Sequence, residues 1–423
     1  MKKIEKKNID IINLGCRLNI YEGEIIKSLT KENELNNYTI INSCSVTEQA
    51  EKKVLYEIRK SKKNYPKNKI VVTGCAAQIS PEKYAKLEEV DYVIGNKEKL
   101  KIDTWSNLLN KNPIQVNDIF ADNIMHHNLV EKFEGKSRAY IEIQQGCDHR
   151  CTFCIIPFGR GNNRSVPVGV VVDRVKTLVK NGYNEVVFTG VDITDYGIDL
   201  PGKPNLFQLV KRVLNLVPTL NQLRLSSIDC AEITEDFWPL LNEKRLMPHF
   251  HLSIQSGNNL ILKRMKRRHN RKQVIDFCKK VRLLKNDVVF GADIIAGFPT
   301  ETDEMFQESM DLVKECNLTH LHIFPYSIRN NTPAARMPQV PKDIIKKRAR
   351  ELREEGKRQM DKYFQKQIGK YATVLVEQVK ENFSFGKSQH FTKIKLSNIN
   401  KEGDIVKCII TDFEKDVLNA KII

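Results

Sequence analysis

The sequence has 423 residues, 41% hydrophobic and 29% charged, which is enough apolar material for packed cores in about two to four domains. Lys and Arg total 69 against 52 Asp and Glu, a formal charge of +17, which fits either a polyanionic partner such as nucleic acid or a lysine-rich composition alone. It holds no low-complexity tract, no apolar run of the ~18–20 residues a membrane span needs, and no apolar leader behind the basic N-terminus, so a disordered, fibrous, membrane-spanning or secreted chain is not expected. Ten cysteines in such a chain read as metal ligands or reactive groups of a cytoplasmic protein rather than a disulfide framework.

Residues 1–110 alternate strand and helix signals. Apolar runs ending near residues 15, 43, 74 and 95 are separated by helical stretches, the pattern of a buried parallel sheet. Cys16, Cys44 and Cys75 each fall just beyond the carboxyl end of one of these strands. Such positions share one edge of a parallel sheet, so three distant cysteines are expected to meet there. Residues 111–137 read as a linker, and the His126-His127 pair in it as a surface loop rather than a metal site.

Residues 138–366 carry six strand signals, at 139–145, 184–190, 223–227, 249–255, 287–297 and 319–327, with amphipathic stretches between them. Six β/α units make a partial barrel, short of the eight of a closed one. A charged helix over 342–366, with ten basic and five acidic residues, follows. Residues 367–423 show four strand signals and no helix, which suggests a small OB-like barrel. Phe383, Phe385, His390 and Phe391 would give it stacking faces for RNA or fill its core, and composition leaves both open.

Directly after the first barrel strand comes Cys147-x3-Cys151-x2-Cys154. Three thiolates within eight residues can hold a cubane iron–sulfur cluster and leave one iron without a protein ligand. A zinc site would want a fourth ligand, and His149 is poorly placed between the cysteines. Gly190, Ser226, Ser227, Gln255 and Gly297 sit at strand ends, suited to a small-molecule pocket or to ordinary turns. Lys263, Arg264, Lys266, Arg267, Arg268, Arg271 and Lys272 form a basic run, either a solvated helix face or a phosphate contact. Cys230, Cys278, Cys316 and Cys408 read as small core residues.

The Cys147–Cys154 motif on a six-unit barrel resembles the radical S-adenosylmethionine (SAM) enzymes. The segments 14–24 (LGCRLNIYEGE), 42–53 (NSCSVTEQAEKK), 72–78 (VTGCAAQ), 143–165, 252–268, 291–302 and 324–337 are similar, in order, to the radical-SAM methylthiotransferases. The resemblance implies an N-terminal methylthiotransferase domain, a radical-SAM core and a C-terminal TRAM module that holds RNA. It implies a SAM-cleaving 4Fe–4S cluster on Cys147, Cys151 and Cys154, with Phe153 against the adenosyl moiety, and a second, sulfur-delivering cluster on Cys16, Cys44 and Cys75. Gly190, Ser226, Ser227, Gln255 and Gly297 would then face SAM.

Within the family, LGCRLNIYEGE, NSCSVT and CIIPFGRG most resemble the MtaB-type enzymes, which methylthiolate N6-threonylcarbamoyladenosine at tRNA position 37. The isopentenyladenosine and ribosomal-protein aspartate branches are the alternatives inside the family, and an RNA-binding protein with a structural metal is the alternative outside it. The implied partner is a tRNA anticodon stem-loop, met by a monomeric enzyme with no membrane association. Arg160 and Arg164 are the candidates for the threonylcarbamoyl carboxylate, and Lys263, Arg264, Arg267 and Arg268 for RNA. Thr300 and His269 depart from the family pattern, which more often has Gly and Tyr there.

Overall fold

A computed structural model describes residues 9–423 except 34, 107, 109–111, 122–124, 126–129 and 399, so the His126-His127 pair lies outside the described residues. The chain divides into two compact units. The first comprises 1–130, 144–150 and 154–166, and the second comprises 131–143, 151–153 and 167–423. No helix among the described residues is long and apolar enough to cross a membrane.

The first unit is a parallel α/β layer. It contains β1 (Ile9–Asn13), α1 (Arg17–Glu32), β2 (Tyr38–Ser43), α2 (Glu48–Asn64), β3 (Lys69–Gly74), α3 (Cys75–Ile79), α4 (Pro81–Ala85), β4 (Tyr92–Ile94), α5 (Ile102–Ser106) and β5 (Ile114–Gln115). The strands pair in the order β1-β2-β3-β4-β5. Ile114–Gln115 lies in the segment expected to be a linker, yet it adds the fifth strand. Two residues are too few for a periodicity to show. Ile41, Val54, Ile58, Ile70 and Val72 form the core beneath the sheet. Thr47 caps α2 by accepting from the Ala50 N–H, and Glu48 and Glu51 in its first turn complement the helix dipole.

The chain then places β6 (Ala139–Glu142) in the second unit and returns to the first for a short antiparallel pair, β7 (Gln144–Gln145) and β8 (Arg164–Ser165), with α6 (Ile156–Arg160) between them. The single strand expected over 139–145 is thus two.

The second unit continues with α7 (Val168–Lys180), β9 (Glu185–Thr189), α8 (Leu206–Leu216), β10 (Gln222–Leu225), β11 (Ser227–Ile228), α9 (Phe237–Leu240), β12 (His249–Gln255), α10 (Asn259–Arg264), α11 (Arg271–Leu284), β13 (Val289–Ala296), α12 (Asp303–Glu315), β14 (Leu318–Pro325) and α13 (Lys342–Gln367). All strand pairs here are parallel, in the orders β6-β9-β10 and β11-β12-β13-β14, and the path breaks at Ser226 between β10 and β11. This is the expected six-unit partial barrel. Capping boxes at Asn205/Gln208 and Asn270/Gln273 start α8 and α11. Phe237, Phe250, Phe277 and Phe290 pack as one aromatic cluster.

The C-terminal segment closes into a barrel of five strands rather than four: β15 (Tyr371–Val379), β16 (Ser384–Ser388), β17 (Lys393–Leu396), β18 (Ile405–Glu414) and β19 (Val417–Ile422). The extra strand, SFGKS, lacks the β-branched residues by which a strand is recognised. The barrel is tied to the β/α core through ion pairs. Glu185, wholly buried, bridges Arg138 and Arg224. Arg138 also pairs with Glu377 of β15, and Arg224 donates to the carbonyls of Ser388 and Gln389 at 2.7 and 2.9 Å.

Candidate metal centres and substrate face

Cys16, Cys44 and Cys75 meet at the carboxyl edge of β1, β2 and β3. Cys44 and Cys75 are buried, and Cys16 keeps solvent-accessible surface. Gly15 turns the chain there at φ +98°. A Cβ on it would lie 2.6 Å from Cys44 Cβ and 2.8 Å from its Sγ, so only glycine lets Cys16 come in beside Cys44. The Asn19 side-chain amide donates to the carbonyls of Leu14, Asn42 and Ser43, which locks the ends of β1 and β2 together.

Beneath the cysteines lies a buried ion network that sequence reasoning missed. Lys99 donates to Glu22 Oε2 at 2.7 Å, to Asn42 Oδ1 at 3.1 Å and to Asn96 Oδ1 at 2.6 Å. Arg160 donates a fork-type pair of hydrogen bonds to Glu22, at 2.8 and 3.0 Å, and reaches Asn19 Oδ1 at 2.7 Å and Gln145. Burial opposes ionisation of Glu22, but Arg160 and Lys99 hold its carboxyl down at about 2. Burial pushes the Cys44 thiol up to about 12 and raises that of Cys16, which Arg160 partly offsets. One signal could have exposed the network: Glu22 lies four residues after Leu18 and four before Ile26, on the apolar stripe of α1.

The donor set fits an iron–sulfur cluster. Two buried cations face one buried carboxylate, an excess of positive charge that complements an anionic thiolate-bound cluster. A single tetrahedral zinc, with Zn–S about 2.3 Å, would draw its sulfurs to about 3.8 Å of one another. The groups of described residues whose ligand atoms converge within 4.8 Å do not include Cys16, Cys44 and Cys75 together.

In the first unit, Cys147 opens its loop after Gly146. Its N–H bonds Gly161 O at 3.1 Å, and Arg150 caps its carbonyl at 2.6 Å while reaching Asn162 at 2.7 Å. α6 follows Cys154 directly and packs against α3, where Gly159 faces the Cβ of Cys75. In the second unit, Arg267 lies 3.7 Å from Cys151 Sγ and is anchored on Asp229 Oδ2 and Ser253 O. Thr152 bonds the backbone of Arg264, Met265 and Ala334. Phe153 and Phe298 pack edge to face, with ring centroids 6.4 Å apart.

Gly190, Ser226, Ser227 and Gln255 stand half-buried at carboxyl ends of barrel strands, Gln255 at φ +72°. Gly297 is buried, and a Cβ on it would meet Ile345 of α13 at 2.6 Å, so its lack of a side chain serves helix packing. Thr300 adopts φ +70°, which explains glycine as the commoner residue there. Its hydroxyl accepts from Arg264 at 2.7 Å. His269 is buried between Asp229 Oδ1 at 3.2 Å and Ile254 O at 3.0 Å, a polar place that a Tyr hydroxyl could also serve.

Several expectations are corrected. Arg160 is 2% exposed and consumed by Glu22, and Arg164, 5% exposed, donates to Arg160 O, so neither guanidinium is displayed to a substrate. Within the basic run, Arg264 is held by Thr300, Arg267 by Asp229, Arg268 by Glu232 and Asp195, Arg271 by Glu315, and Lys272 by Asp276. Lys263 and Lys266 stay exposed, and Arg268 and Lys272 also remain exposed despite their surface ion pairs. Phe391 does not offer a free stacking face: it packs under Arg138 and Arg224 and stacks on His249 at 5.5 Å. His390 is buried near Asp287. Phe383 and Phe385 remain half-exposed on the barrel, with Lys395 and Lys393 over their rings.

Comparison with known proteins agrees with this architecture. The radical SAM superfamily profile matches residues 141–313, and that of the uncharacterised protein family UPF0004 matches residues 8–95. Threonylcarbamoyladenosine tRNA methylthiotransferase MtaB of Rickettsia prowazekii is 50% identical over 415 residues, 98% of this chain and 97% of the relative. The chain belongs to the MtaB branch of the radical-SAM methylthiotransferases. The MtaB of Aquifex aeolicus is 34% identical over 94% of this chain and 98% of its own. The tRNA-2-methylthio-N(6)-dimethylallyladenosine synthase of R. prowazekii is 31% identical over 99% of this chain and 100% of its own. Among solved structures, the radical SAM methyltransferase TsrM of Kitasatospora setae shares the fold, with TM-score 0.58 at 13% identity over 77% of this chain and 76% of that one.

Proposed function

We propose that this protein converts N6-threonylcarbamoyladenosine at position 37 of tRNA to its 2-methylthio derivative. One observation carries the choice of substrate: two enzymes of a single organism, R. prowazekii, differ in likeness to this chain, 50% for the threonylcarbamoyladenosine enzyme and 31% for the dimethylallyladenosine enzyme. Cys147, Cys151 and Cys154 would hold the SAM-cleaving 4Fe–4S cluster, and Cys16, Cys44 and Cys75 the second one. When bound, the first supplies an electron that splits SAM to a radical able to attack an unactivated C–H, and the second supplies sulfur.

The chain's own residues orient and insulate these groups. Arg267 stands 3.7 Å from Cys151 Sγ and would face a cluster bound there with a fixed positive charge. Phe153, braced by Phe298, offers a flat apolar wall. Arg160 and Lys99 would counter the negative charge of a thiolate-bound cluster held by Cys16, Cys44 and Cys75. The target carbon lies within a base, so that base must leave its stack, which costs less in a single-stranded anticodon loop than in a duplex. Phe383 and Phe385 with Lys393 and Lys395 form a surface suited to such a loop.

The reading is tested with purified, reconstituted protein on one tRNA in three forms. Turnover is expected on the threonylcarbamoylated form and absent on the unmodified and isopentenylated forms. Preferred turnover of isopentenylated tRNA would overturn the substrate while leaving the radical chemistry intact.

A further inference from the structure

Four histidines and one aspartate lie on a single face of the sheet β12-β13-β14. Side chains alternate along a strand. Phe250 on β12 and Phe290 on β13 point into the aromatic cluster. His249 and His251, adjacent to Phe250, and Asp293, three residues beyond Phe290, therefore point to the opposite face, with His320 and His322 of β14. The register brings the middle members together, with Asp293 paired to His322 and His251 paired to Gly291.

Three side chains converge. His251 Nε2 lies 2.9 Å and His322 Nδ1 3.1 Å from the same oxygen, Asp293 Oδ1, and the two rings are 4.5 Å apart. All three ligand atoms fall within 4.8 Å of one another. Metal–nitrogen and metal–oxygen bonds of about 2.0–2.2 Å at right angles put adjacent ligand atoms about 2.9 Å apart, and tetrahedral ones about 3.4 Å apart. The observed pair of distances lies in that interval. Gly291 makes the arrangement possible, because a Cβ there would come 2.5 Å from His251 Nδ1. Beside the trio, His320 Nε2 is buried with no hydrogen-bond partner among the described residues, a second imidazole nitrogen left over on the same face.

We propose that His251, Asp293 and His322 form a mononuclear site for a divalent transition metal of the zinc or ferrous type, separate from both cysteine triads. Two imidazoles and one carboxylate suit that class of ion and leave coordination positions open to water or to an oxygen donor. The proposal does not depend on the identity of the modified base.

The test uses the full-length, reconstituted protein dialysed against Zn(II), with zinc, iron and sulfide counted and the zinc environment read by zinc K-edge absorption, which does not register the iron. The expected result is one zinc per chain with a nitrogen and oxygen shell and no sulfur. His322→Asn should weaken zinc binding at least ten-fold and leave iron unchanged. Its side chain is 62% exposed, so folding does not depend on it. Gly291→Ala should also lose zinc, by displacing His251. Zinc uptake equal in wild type and His322→Asn, sulfur in the zinc shell, or no zinc bound at all would overturn the site and leave a hydrogen-bonded His–Asp–His trio only.

Discussion

Glu22→Gln removes the carboxylate that joins Arg160 to Lys99 and leaves two buried cations facing each other. The size of the effect follows from the Glu22 carboxyl. Its ordinary value is 4.5 and it is held at about 2 in the fold; at about 1.4 kcal/mol per pH unit, that interval is roughly 3 kcal/mol. Breaking a buried ion pair costs about 3–5 kcal/mol by a separate argument, from the charge left unpaired. The variant should therefore lower the melting temperature of the first unit by about 6–12 °C. Trp105 is a built-in reporter, because it is buried in that unit and donates to Lys99 O at 3.0 Å. The only other tryptophan is Trp238, so fluorescence in a Trp238→Phe background follows the first unit alone.

The sign with pH is fixed as well. A depressed carboxyl contributes fully above 4.5 and loses its contribution as the pH falls toward about 2. Metal-free wild type should lose about 3 kcal/mol across that window, and Glu22→Gln should lack this component. Since Arg160 acts on Cys16 and Cys75, anionic clusters should offset part of the cation excess, and the reconstituted variant should lose less than the metal-free one. A metal-free Glu22→Gln protein within about 1 kcal/mol of wild type, with the same acid profile, would refute the reasoning.

Replacing Cys147, Cys151 and Cys154 with Ala should abolish reductive SAM cleavage and leave about four irons, and replacing Cys16, Cys44 and Cys75 should also leave about four irons but stop methylthio transfer while SAM cleavage persists, measured by iron analysis and 5′-deoxyadenosine release. Lys393→Ala with Lys395→Ala should weaken tRNA binding and reduce its log–log salt slope by roughly 1.5, with SAM cleavage in the absence of RNA unchanged. Thr300→Gly should change stability by less than about 1 kcal/mol, because relief of the left-handed backbone offsets the lost Arg264 bond, whereas Thr300→Val keeps the strain, loses the bond and should cost about 1–2 kcal/mol in urea unfolding. Glu185→Gln should cost about 3–5 kcal/mol, read as cooperative loss of the second unit's structure, since Arg138 and Arg224 would stay buried without it.

The framework was legible because it depends on local patterns. Apolar runs separated by amphipathic stretches announce buried parallel strands, and a cysteine placed after each of three runs announces its own meeting point. Where the expectation failed, the deciding contact is remote in sequence. Arg160 looks like any arginine beside a cluster motif until Glu22, 138 residues earlier, is seen to accept from both its terminal nitrogens. Phe391 looks like a stacking aromatic until Arg138 and Arg224 are found over its ring. In both cases the residue type was right for nucleic acid, but a guanidinium or a ring satisfied inside the fold has nothing left to offer outside it. A charge on an apolar stripe, such as Glu22 on α1, shows that some partner must exist, since burial without one would cost several kcal/mol. It does not say which. The search for residues that meet the threonylcarbamoyl carboxylate therefore moves from arginines chosen by proximity in sequence to cations that the fold leaves exposed, of which Lys263 and Lys266 are two.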